Sequence, residues 1–219
     1  DFDIPLLLEH TVTKIHSQNR VKAVTIAQVD ENWNPIPGTE EDIECDTLLL
    51  SVGLIPENEL SKKIGVELDP ITGGAIVDEN LETSIEGIFS CGNVLQVHDL
   101  VDNVTQEAIN AGKNAAKYIK QKLREKKELV KTIAGRNIGY IVPQHINRES
   151  FSQPLIFFMR VKKPENDVLL NLKANGRILK KLKKKFVRPS EMIELKTKTL
   201  EVSSDINEII FEISPGGDN

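Results

Sequence analysis

Apolar and polar positions alternate in two runs near the start of the chain, residues 11–16 and 21–29, on either side of the polar stretch 17–20. Alternation rich in Val, Ile and Thr predicts two strands joined as a hairpin. Residues 32–38, with Pro35 and Pro37, read as a turn. A further strand is expected over 43–52. Its Leu48, Leu49 and Leu50 form an unbroken apolar run, the pattern of a strand buried on both faces. Gly53 and Pro56 end it. A short helix is expected over 57–63, with Gly65 as its stop. Residues 69–74 are dense in turn formers, and short strands follow at 75–78 and 87–92. The next helix is expected from Asp102 to Glu128. Ala108, Ala111, Ala115, Ala116 and Ile119 give it a narrow small-residue face suited to packing on a sheet. Lysines and arginines crowd its last turns, which complements the helix dipole.

After Gly135 the period changes to two. Strands are expected at 138–142, 155–161, 168–174, 177–186, 192–195 and 209–213, with Asn175-Gly176 as a hairpin turn. About six strands in this stretch suggest a small antiparallel sandwich or barrel. The fold class expected is therefore α/β plus all-β. The domains expected are an α/β unit over residues 1–130 and a β unit over 136–219. No internal repeat is found.

Charge sharpens the division. The 219-residue chain has a net charge of -5, but residues 1–120 hold 8 basic and 21 acidic side chains, and residues 121–219 hold 20 and 12. At 39% apolar and 28% charged residues, the chain has enough apolar material for a core. No apolar run approaches the 18 or so residues of a membrane span, so no membrane partner is expected. There is no leader pattern, and the chain opens on Asp1 rather than Met, which suggests a piece of something longer. Cys45 and Cys91 form no Cys-x-x-Cys and no zinc spacing. A reducing, cytoplasmic location and no metal are expected.

The chemistry concentrates where a short strand delivers Gly92 and Asn93 to the start of a helix. Glycine lets a ligand approach the backbone closely, Asn93 can donate and accept hydrogen bonds, and a helix start presents N–H groups. Taken alone, such a turn is also just a turn. The wider pattern is more specific. Thr83-Ser84-x-x-Gly87-Ile88-Phe89-x-x-Gly92-Asn93 resembles the second flavin fingerprint of the pyridine nucleotide-disulfide oxidoreductase superfamily, the flavoproteins with two dinucleotide-binding domains. The apolar run 48–52 followed by Gly53-x-x-Pro56 resembles the segment that links the NAD(P)-binding insertion back to the FAD domain. Asp69-Pro70-x-Thr72-Gly73-Gly74-x-Ile76-Val77-Asp78 resembles the hairpin between them.

The resemblance covers about residues 1–127. It implies a partial FAD/NAD(P)-binding, Rossmann-like region followed by a small antiparallel β domain. It implies FAD and NAD(P) as cofactors of a parent protein that passes hydride between NAD(P)H, or a small organic substrate, and FAD. Gly53, Gly92, Asn93 and Val104 are the cofactor-binding positions it implies. The N–H groups around Asn103 and Val104 would face the isoalloxazine. Asn93 departs from the family's Asp, which removes a charge and keeps the hydrogen bonding. The chain has 13 glycines and no Gly-x-Gly, so both pyrophosphate cradles are absent from it. It is therefore expected to be a C-terminal fragment, inactive and unable to hold either dinucleotide tightly alone. Its expected partners are the N-terminal part of its parent, a small-molecule substrate and further copies of itself.

His98, Asp99 and Asp102 follow Asn93 and are candidates for proton transfer, or a surface loop. The basic run 180–188 has one stacking platform, Phe186, so nucleic acid is not expected. It is read as a solvated edge or as a docking surface for the acidic domain or a partner. The alternative to an oxidoreductase fragment is a non-catalytic interaction module that docks a partner through this basic β domain.

Overall fold

The computed structural model describes residues 4–120, 128–202 and 205–216. The backbone divides after Gly53 into two compact units. The first is a three-stranded antiparallel sheet in the order β1-β2-β3: β1 (His10–Ser17), β2 (Val21–Gln28) and β3 (Glu41–Glu44). The β1–β2 hairpin is the one predicted. Central strand β2 supplies the buried Val24, Ile26 and Ala27, while β1 is mostly exposed.

The strand expected over 43–52 is corrected. Strand β3 ends at Glu44, and Leu49 and Leu50 are 88% and 69% exposed. An apolar run becomes a buried strand only where other strands flank it. Among the described residues none pairs with 48–52.

The second unit opens with helix α1 (Glu59–Lys63). Residues 66–90 then fold as successive turns joined by single bridges, Leu68 to Ala75, Val77 to Thr83 and Glu82 to Phe89. The two short strands expected here are these bridges rather than ladders. A single 3-10 turn, Gly92–Val94, leads to helix α2 (Val101–Ile119). Residues 121–127, which hold most of the expected basic helix end, lie outside the described residues.

Helix α2 turns a different face inward from the one predicted. Glu107 and Ala111 are buried, whereas Ala108 and Ala116 are exposed and Ile119 is 80% exposed. Small residues tolerate close packing but do not demand it. The side that meets Val66, Ala75, Val77, Leu81 and Leu95 is set by Ala111.

The remaining strands are β4 (Leu129–Ala134), β5 (Ile138–Val142), β6 (His145–Asn147), β7 (Ile156–Val161), β8 (Glu165–Ala174), β9 (Arg177–Val187), β10 (Ile193–Lys196) and β11 (Glu208–Pro215). They form a three-stranded sheet, β10-β7-β5, and a five-stranded sheet, β6-β4-β11-β8-β9. The two share one core, in which the Phe157 and Phe211 rings stack tilted at 4.8 Å. Strands β8 and β9 meet through Asn175 and Gly176, both with positive φ, as a two-residue hairpin turn requires. The class is the one read from the sequence, an α/β region followed by a small β domain. One detail is corrected: the β domain is not purely antiparallel, because β4 and β11 pair in parallel.

The β domain and residues 54–120 belong to one compact unit, and the expected boundary between 130 and 136 falls inside it. Val142 of β5 lies in the core around α2, and Gln144 exchanges hydrogen bonds with the backbone of Val77. Glu79 accepts hydrogen bonds from the Asn147 N–H and amide and from the Ser150 hydroxyl.

Candidate functional site

Cys91 is extended, Gly92 has φ +71°, and the chain then turns once before His98, Asp99 and Leu100 lead into α2. A side chain at Gly92 would be strained by that φ, and its Cβ would sit 3.2 Å from Val104 Cγ1. The turn is braced from below. A Cβ on Gly74 would overlap the Leu95 carbonyl, so the hairpin 69–74 can lie against this turn only with glycine there. Asn58, 4% exposed, donates from one amide nitrogen to the carbonyls of Gly73 and Val94, at 3.0 and 2.7 Å.

The centre of the arrangement is Glu107. Its side chain is buried, and its carboxylate accepts the Gly92 N–H, the Gln96 amide at 3.0 Å and His98 Nε2 at 3.1 Å. Three donors compensate the cost of a buried carboxylate. They also fix the glycine turn to the helix. The His98 ring has no exposed surface and packs edge-on against Phe158, with centroids 5.7 Å apart. Because Nε2 bonds the carboxylate, it carries the proton, and Nδ1 is left without a partner in the structure.

His98 and Asp99, the candidates for proton transfer or a surface loop, are each engaged by a different group. His98 bonds Glu107, and Asp99 bonds the guanidinium of Arg160 and the Met192 N–H, the latter at 2.8 Å. Burial acts to raise the Asp99 carboxyl. The Met192 N–H and Arg160 outweigh it and hold the group below the usual carboxylate range. Arg160 also reaches the Val97 carbonyl at 3.0 Å and the Tyr140 hydroxyl at 3.1 Å. It thus clamps residues 97–99 to β5 and β7. Asp102 is exposed in the first turn of α2.

Gly92, Asn93 and Val104 are brought together. Gly53, with φ +91°, closes the first unit. Asn93 is exposed, and its side-chain oxygen accepts the His98 N–H at 3.2 Å, which directs its amide nitrogen elsewhere. The Asn103 and Val104 N–H groups both donate to the Leu100 carbonyl, at 3.1 and 3.5 Å. They close the first helical turn, so the expectation that they face a ring is corrected. The donors ahead of them are those of Val101 and Asp102. Burial pushes the Cys91 thiol up, and Glu107 adds to this, so it is a poor thiolate nucleophile.

Glu107, Gln96, Arg160 and Asn58 did not stand out in the sequence. The signal for Glu107 was an acid one turn before Ala111 on a face read as small and apolar. The basic run forms β9, the edge strand of the five-stranded sheet. Its Phe186 ring already carries the Arg188 guanidinium at 4.9 Å. Among the described residues no cluster of His, Cys, Asp and Glu could hold a metal ion. No helix of the described residues is long and apolar enough to cross a membrane.

Residues 2–138 match the family described as pyridine nucleotide-disulphide oxidoreductase. The chain is 26% identical over 140 residues to a thioredoxin reductase of Listeria monocytogenes, covering 50% of this chain and 43% of that one. It is 34% identical over 73 residues to a mitochondrial dihydrolipoyl dehydrogenase of Caenorhabditis elegans, covering 33% and 15%. It is 24% identical over 102 residues to an NAD(P)H coenzyme A polysulfide/persulfide reductase of Pyrococcus horikoshii, covering 46% and 22%. The chain thus spans less than half the length of these curated relatives.

Proposed function

Because the chain belongs to the pyridine nucleotide-disulphide oxidoreductase family, we propose that it supplies the flavin-side turn of an oxidoreductase. That enzyme would move hydride between NAD(P)H, or a small organic substrate, and FAD. The observation that carries this reading is the Gly92–Asn93 turn, locked to α2 by Glu107 beside an exposed apolar helix start.

The residues present fit a flavin. Gly92 is buried, with Val104 on its Cβ side and its N–H held by Glu107, so it shapes the turn that presents Asn93. Asn93 is exposed, with its amide nitrogen available to a ribityl hydroxyl. Val94, Leu100 and Val101 are 40%, 62% and 75% exposed, which gives apolar ground for a ring. The N–H groups of Val101 and Asp102 stand where partial positive charge would favour an electron-rich ring. When bound, FAD would supply the two-electron chemistry. The chain's residues would orient it and keep its environment fixed.

With no Gly-x-Gly in the sequence, the pyrophosphate cradles come from outside this stretch. The chain alone is a fragment that is inactive and holds FAD and NAD(P) only weakly. Apolar residues exposed in each unit, such as Leu49 and Val52 in the first and Ile55 and Leu60 in the second, support self-association. Free thiols at Cys45 and Cys91 are consistent with a reducing compartment such as the cytoplasm.

The test is an NMR titration of the labelled 219-residue chain with FAD. The reading predicts weak binding, with Kd on the order of 1 mM, and shifts confined to the amides of residues 92–104. Saturable shifts centred elsewhere, or none at all, would overturn it.

A further inference from the structure

A cleft of about 630 Å3 runs between helix α2 and the β domain. Small-molecule sites are usually about 300–1,000 Å3. One wall is the polar side of α2, with Asn103, Gln106, Asn110, Lys113 and Lys117 at helical spacing. The facing wall is mixed: Val142, Pro143 and Phe158 form an apolar patch, with Ser150, Gln153, Glu194 and Lys196 beside it.

The carboxylates that line it are already engaged. Glu107 holds Gly92, Gln96 and His98, Glu79 holds Asn147 and Ser150, and Glu194 pairs with Lys196 at 2.9 Å. Two of the three lysines that line it, Lys113 and Lys117, are not. Among the described residues, Lys117 Nζ donates to the neutral Asn114 side-chain oxygen, at 3.2 Å, and neither Lys113 nor Lys117 is paired with an acid. Two ammonium groups one turn apart, with amides beside them and an apolar patch opposite, select for charge and shape together.

We propose that this cleft binds an organic anion, a carboxylate or phosphate head carried on an apolar or ring-shaped body. Lys113 and Lys117 take the head, and their flexible stems let the ammonium groups adjust to either head geometry. The Asn103 and Asn110 amides take its polar flank. Val142, Pro143 and Phe158 cover the body. The inner end of the cleft abuts the candidate site, because Glu107 and Phe158 line the cleft and both touch His98. The site does not require a bound flavin, so its test is separate from the one above.

The experiment is an NMR titration of the 15N-labelled 219-residue chain with benzoate, phenyl phosphate and benzyl alcohol. The expected result is saturable shifts of the Asn110, Lys113 and Phe158 amides with benzoate or phenyl phosphate. Benzyl alcohol should bind at least ~10-fold more weakly. The tighter anion distinguishes a carboxylate from a phosphate head. K113A/K117A should abolish the preference for anions, and K113Q/K117Q, which keeps the stems' length, should do the same. The proposal is overturned if neither anion saturates these amides by about 20 mM. It is also overturned if benzyl alcohol binds equally well, or if both double variants keep the preference.

Discussion

Glu107, two turns into helix α2, accepts the backbone N–H of Gly92, fifteen residues earlier in the chain. This one bond converts a glycine turn, whose backbone would otherwise sample many conformations, into a fixed loop at a helix start. The same carboxylate orients His98 and Gln96, so the loop is held at three points.

Replacing Glu107 therefore leaves buried donors unmet. Glu107→Ala is expected to cost about 2–4 kcal/mol in urea unfolding of the second unit, since each buried donor without a partner costs about 1–3 kcal/mol. Glu107→Gln should cost less, because one amide oxygen can still accept. A loss for Glu107→Ala under about 0.5 kcal/mol would mean that the three bonds carry little weight.

The glycine itself can be tested apart from its partner. Gly92→Ala is expected to lose about 1–2 kcal/mol from the left-handed φ alone, with more from the approach to Val104. Adding Val104→Ala should recover the crowding and leave the backbone strain. Full recovery in the double variant would assign the whole cost to crowding.

Arg160 joins the β domain to residues 97–99 through Asp99 and the Val97 carbonyl. Arg160→Met keeps much of the stem and removes these bonds. Hydrogen exchange at the Met192 amide, which Asp99 accepts, should speed up by at least ~10-fold, and β8–β9 amides should not change. Equal acceleration throughout would indicate global destabilisation rather than a local clamp.

Asp99 also sets a pH dependence. Its folded-state carboxyl lies below the ordinary value of about 3.9, so its contribution is complete above that pH and is lost as pH falls through the folded value. The Met192 amide signal should titrate with a midpoint below about 3.9 and stop titrating in Asp99→Asn. A midpoint at or above that value would contradict the clamp.

The parts of the fold that were legible in the sequence are those governed by neighbours along the chain. The β1–β2 hairpin and the Asn175-Gly176 turn follow from local alternation and turn chemistry. Leu48, Leu49 and Leu50 misled because burial depends on strands elsewhere. Strand β4 was missed because its ladder partner β11 lies near the far end of the chain and runs parallel. The candidate site divides in the same way. Gly92 and Asn93 stand in a contiguous motif. Glu107 and Arg160 gain their roles only when α2 and β7 fold back onto it.

The most direct test of the central claim uses the natural polypeptide that carries this sequence. It would be isolated from its source, and its visible spectrum recorded before and after anaerobic addition of NADH or NADPH. The account predicts flavin absorbance at about one equivalent that bleaches with one of the two nucleotides. A colourless polypeptide that holds no flavin would contradict it.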